Sequence, residues 1–80
     1  MKLTLVSTTD KQTFEVAWLE VNSSAGNFVM QRGHAPMILL LASQQPIIYC
    51  LQNGKEESML IEGGGILHIT RQEATIILTS

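Results

Sequence analysis

Ile47-Ile48-Tyr49-Cys50-Leu51-Gln52 and Lys55-Glu56-Glu57-Ser58-Met59-Leu60-Ile61 flank a single dipeptide, Asn53-Gly54. Asn and Gly both tolerate positive φ, so this pair between two β-rich runs is a strong hairpin signal. A two-residue type I′ turn there sets Ile48 opposite Met59 and Tyr49 opposite Ser58. An isolated hairpin is marginal in water, so the flanking sequence must supply further strands.

It does so on both sides. Downstream, Gly63-Gly64-Gly65 breaks the chain and reads as a bulge or a close backbone approach. Leu67 and Ile69, then Ile76 and Leu78, form a second hairpin around Thr70-Arg71-Gln72-Glu73. Upstream, Met37-Ile38-Leu39-Leu40-Leu41-Ala42 has no polar residue. Periodicity alone does not separate a buried strand from one helical turn there. Phe28 and Met30 alternate with Asn27, Val29 and Gln31, after a loop at Asn22-Ser23-Ser24-Ala25-Gly26. Phe14, Val16 and Trp18 share one parity, Leu19 and Val21 the other. Either both faces are covered or a bulge shifts the register. Leu3 and Leu5 alternate with Lys2, Thr4 and Val6, and Ser7-Thr8-Thr9-Asp10-Lys11 turns the chain. The pattern predicts about eight short strands in one domain spanning residues 1–80, with almost no helix signal: an all-β antiparallel sandwich or barrel.

Composition narrows the function. Of the 80 residues, 45% are hydrophobic. A domain this small buries only about 60–65% of its unfolded surface, so part of that apolar material is expected outside. A contiguous exposed apolar patch marks a partner, whereas the plainer reading of the composition is an aliphatic-rich core. The net charge is −2, and Lys2, Lys11, Arg32, Lys55 and Arg71 are scattered, which argues against nucleic acid. One cysteine, Cys50, makes no internal disulfide and no Cys-based zinc site. The start has no signal-peptide pattern, and the apolar run from Ala35 to Ala42 is too short to span a bilayer.

Side chains with chemical potential are few. His68 lies between Leu67 and Ile69 and should face away from them, toward solvent. His34 sits in a glycine-proline loop with no acid nearby in sequence; a catalytic histidine needs such a partner. Cys50 lies in an apolar run and reads as core. Glu56, Glu57 and Glu62 around the hairpin read as solvated charges, and Met30, Met37 and Met59 read as core filling or an adaptable surface. No catalytic residue and no metal ligand is assigned.

The fragment Gly26-Asn27-Phe28-Val29-Met30-Gln31-Arg32-Gly33-His34-Ala35-Pro36-Met37-Ile38 resembles the signature of the epsilon subunit of F-type ATP synthases. There a glycine and a short apolar strand precede Gly-His-Ala-Pro and two aliphatics. Gly64-Gly65-Ile66-Leu67-His68-Ile69, the last strand Ala74-Thr75-Ile76-Ile77-Leu78 and the opening Leu3-Thr4-Leu5-Val6-Ser7 are similar in the same order. The resemblance is to that family's N-terminal domain. It implies a flattened antiparallel β-sandwich of two sheets, without the helical hairpin that follows it in the family.

The resemblance also implies a non-catalytic central-stalk subunit. It would dock on gamma and touch the polar loops of the membrane c-ring, coupling ion-driven rotation to ATP synthesis. The implied ring-end contacts are Asn27, Arg32, Gly33, His34, Ala35 and Pro36; Ser7, Met37 and Leu39 would face gamma. No cofactor, metal or small-molecule ligand is implied. The implied place is the cytoplasmic face of a bacterial inner membrane, without insertion. Two features depart from the family: Asn27 replaces its usual acid, and Gln31-Arg32 replaces an apolar-Pro pair, making this end more cationic. The family's braking and ATP binding belong to the helical hairpin and do not carry over. A Cys/His-dependent enzyme, a metal-binding sandwich and a relative that binds another protein remain alternatives.

Overall fold

The computed structural model describes residues 1–79. They form eight strands and no helix: β1 (Lys2–Val6), β2 (Lys11–Ser23), β3 (Gly26–Met30), β4 (Met37–Leu41), β5 (Gln45–Leu51), β6 (Glu56–Ile61), β7 (Gly65–Ile69) and β8 (Glu73–Leu78). All eight are hydrogen-bonded into one sheet folded over itself. One layer runs β1-β8-β7-β4, and the first half of β2 pairs with β1. The other layer holds β3, the second half of β2, β5 and β6. The body measures 28 × 25 × 18 Å, the flattened shape of a sandwich. The pairs are antiparallel except one: β1 and β8 run parallel.

β2 joins the layers, and its mixed parity is the reason it can. Val16 and Leu19 are both fully buried although three residues apart. Against β5 the register slips between Val16 and Trp18, so the strand carries one extra residue. A bulge of this kind kinks the strand and increases its twist. Phe14 and Val16 therefore face the core before the bulge, Leu19 and Val21 after it. The core draws on both layers, with Leu3, Leu67, Ile69 and Ile76 from one and Leu19, Met30 and Ile47 from the other.

The Asn53-Gly54 hairpin exists, but its turn differs from the predicted one. Ile48 lies opposite Ser58 and Tyr49 opposite Glu57, one residue away from the two-residue register. Gly54 N–H donates to Leu51 O at 2.9 Å, and Leu51 N–H to Lys55 O at 2.8 Å. The loop is thus three residues, Gln52-Asn53-Gly54. Gly54 has φ of 91°, whereas Asn53 is not among the positive-φ residues. This is a type I turn closed by a glycine bulge. Asn53 Oδ1 accepts from Lys55 N–H at 2.9 Å, which supports that geometry.

The triglycine segment is a close backbone approach, as its composition predicts. A Cβ on Gly64 would lie 2.7 Å from Leu41 O, and one on Gly65 would lie 2.6 Å from Ile77 O. Within the all-apolar run of residues 37–42, Met37–Leu41 is strand β4, with alternating exposure. Leu39 and Leu41 point into the core while Ile38 and Leu40 point out.

Candidate partner-docking surface

The register places outward-facing side chains in rows across the first layer. One row reads Lys11, Val6, Ile77, Ile66, Leu40. The next reads Thr13, Thr4, Thr75, His68, Ile38. The third opens with Glu15, Lys2 and Glu73. Beyond Lys11 the first row is apolar, the middle row is hydroxyl and imidazole apart from Ile38, with Thr4 buried, and the far end is charged. Ile38, Leu40, Ile66 and Ile77 are 68%, 63%, 39% and 50% exposed. In a pleated sheet these positions are held rigidly by the backbone ladder, so the apolar end is a preformed surface. Scattered exposed aliphatics need no explanation; a row aligned across β8, β7 and β4 does.

The loop between β3 and β4 closes the charged end. His34 N–H donates to Gln31 O at 3.1 Å, and Gly33 at the third position of this turn has φ of 91°. That conformation needs glycine. His34 is half-buried, and its Nδ1 bonds to Ala35 O at 2.7 Å. The imidazole thus braces its own loop, and that nitrogen meets no thiol or carboxylate. Arg32, Gly33, Ala35 and Pro36 are exposed.

The residues named from the family resemblance do not form one surface. Arg32, Gly33, His34, Ala35 and Pro36 sit together on this loop. Asn27 lies near the far end of β3, on the outer side of the second layer. Its amide donates to Glu20 at 3.0 Å and Asn22 at 3.1 Å. Ser7 lies at the opposite end of the sandwich, where its N–H donates to Asp10 O at 2.8 Å. Leu39, at 7% exposure, is core, and Met37 is half-buried against it. Strand pleat explains both: β4 turns its odd positions inward, so Ile38 and Leu40 are what it offers outside. The signal for these two was available, since a chain this small cannot bury a whole apolar hexapeptide.

The candidate chemical groups stay apart. Cys50 is buried on β5 opposite Trp18, and its thiol bonds to Leu51 O at 3.5 Å. His68 is exposed on β7, between Ile38 and Thr75. Among the described residues no three His, Cys, Asp or Glu side chains are grouped to hold a metal ion, and no helix is long and apolar enough to cross a membrane. Tyr49 packs its ring on Phe14, centroids 5.3 Å apart. Burial, and then the Glu57 carboxylate, push its phenol above the usual tyrosine value of 10.0.

The fold and the surface define a class: a small β-sandwich with a row of exposed aliphatic side chains across β8, β7 and β4. No protein-family model matches the chain, and no curated protein matches its sequence. Solved structures do match. A chain in the cryo-EM structure of the Euglena gracilis mitochondrial ATP synthase, comprising OSCP, F1 and c-ring in rotational state 1, superposes with a TM-score of 0.84 at 20% identity. A chain in the central stalk/c-ring structure of the Tetrahymena thermophila mitochondrial ATP synthase gives 0.73 at 13% identity. The matches cover 98% and 100% of this chain but 49% and 63% of those chains. At these identities the likeness establishes the fold.

Proposed function

We propose that this chain is a non-catalytic component of the central stalk of a rotary ATP synthase. In this reading the apolar end of the β1-β8-β7-β4 face docks on gamma. The loop of residues 31–36 faces the c-ring, and the sandwich turns with both as a rigid coupling, peripheral to the membrane. One observation carries the reading: on a fold shared with chains of two ATP synthase assemblies, Ile77, Ile66 and Leu40 align as an exposed row bordered by Ile38. Each such side chain gains about 1.5–3 kcal/mol when fully buried. A handful of them in the centre of a contact suffices for a specific interface.

The test is binding of the chain to purified central stalk, by calorimetry, against Ile66→Glu. Ile66 is outside the core, so the variant should fold and melt as the parent does. Its affinity should fall at least tenfold, because a carboxylate would be buried without a partner. Equal affinity in the two proteins would remove this face from the contact.

A further inference from the structure

The exposed aliphatics of the first layer surround one imidazole. His68 is exposed on β7 and lies directly opposite Ile38 of β4. Ile66 stands two positions before it on the same face of β7. Leu40 is its diagonal neighbour on β4, and Ile77 its diagonal neighbour on β8, beyond Thr75. Directly opposite side chains have Cβ atoms about 4.5–5.5 Å apart and diagonal ones about 7–8 Å, still within reach of a ring. A partner that covers Ile38, Leu40, Ile66 and Ile77 together therefore covers His68 as well.

Few other charges share this ground. β4 carries no titratable side chain, and His68 is the one on β7. On β8 it is Glu73, the other diagonal neighbour of His68, which stands in register with Lys2 of β1. In the β7–β8 turn, Arg71 is turned toward the β3–β4 loop: its Nη1 donates to Gly33 O at 3.4 Å. The second histidine, His34, lies in that loop with Nδ1 against Ala35 O. Histidine is the side chain whose charge ordinarily changes between about pH 5 and 8.

We propose that His68 makes docking of this face pH-dependent: the neutral imidazole docks and the imidazolium does not. The proposal rests on the stalk reading above and names a control on the same surface. Burial in an apolar contact disfavours the charged ring. A protonated chain must give up its proton to dock, so affinity falls as pH falls. Glu73 opposes the effect, because a carboxylate nearby favours the charged ring, and Lys2 beside it offsets that carboxylate.

The experiment titrates the full chain into purified central stalk by calorimetry at about pH 5.5, 6.5 and 7.5, the range in which histidine changes charge. The parent is compared with His68→Gln, His68→Thr and His34→Gln. A decline caused by groups on the stalk would appear in all four proteins. The expected result is a further decline that both His68 replacements remove. Relative to His68→Gln, parent affinity should fall about fivefold or more from the highest pH to the lowest. At the middle pH the parent should release protons on docking, read from buffers of different ionisation enthalpy. His34→Gln should behave as the parent does. His68 is outside the core, and threonine suits a strand, so His68→Thr serves should His68→Gln melt early. Parent docking of equal strength at all three pH values, or a decline as steep in the His68 variants, overturns the proposal and leaves the stalk reading standing. Absence of docking by every protein at every pH overturns both.

Discussion

A Cβ on Gly65 would sit 2.6 Å from the Ile77 carbonyl oxygen, inside van der Waals contact with backbone that cannot swing away. Gly65→Ala must therefore push β7 from β8. We expect a loss of about 1–3 kcal/mol, the usual cost of overpacking, read as a lower denaturant midpoint with an unchanged slope. A change within about 0.5 kcal/mol would mean that the strands part easily. Tyr49 makes a second residue-level prediction. Its phenol is raised by burial and by Glu57, so the unfolded chain ionises before the folded one as pH climbs. The stability this gives is fully present below about pH 10 and is lost as pH rises through the higher folded value. Tyr49→Phe should flatten that alkaline decline; an identical decline in both proteins would show that other groups cause it.

At the scale of elements, β7 gives a clean test of in–out alternation. Leu67 is fully buried while its neighbour Ile66 faces solvent. Leu67→Ala should cost about 2–5 kcal/mol, and Ile66→Ala should stay within about 0.5 kcal/mol. Similar losses at both positions would contradict the register of β7 against β4 and β8. This alternation was legible in the sequence, because His68 sits between Leu67 and Ile69 and only one parity can be core. The mixed parity of β2 was legible too, but it left a bulge and two covered faces as alternatives, and the register slip between Val16 and Trp18 decides for the bulge. The β5–β6 register was not legible. Asn-Gly serves both a two-residue type I′ turn and the last two places of a three-residue loop, and local composition does not distinguish them. The difference is one residue, and one residue exchanges the faces of a strand. The parallel β1–β8 pair was hidden for another reason: it joins residues some seventy positions apart, a distance at which strand patterns carry no pairing information.

Over the whole molecule, exposed aliphatic side chains gather toward one end of one layer, and the loop of residues 31–36 closes the other end. The expectation that surplus apolar material lies outside was correct: Ile38, Leu40, Ile66 and Ile77 are exposed on the first layer, and Val29 and Leu60 singly on the second. Their alignment depends on how β4, β7 and β8 pair, which only the folded chain displays. The loop of residues 31–36 was legible as a motif, but the grip of Arg71 on Gly33 links residues 38 positions apart and was not. The central claim, docking through the apolar row, is tested most directly by solvent access at its middle. In a Cys50→Ala background, Ile66→Cys and Ser58→Cys place one thiol on each outer face, both at exposed positions. Thiol alkylation is then timed in the free chain and after addition of purified central stalk. The account predicts that Ile66→Cys slows at least tenfold while Ser58→Cys keeps its rate. An unchanged rate at Ile66→Cys, or protection of Ser58→Cys in its place, would contradict it.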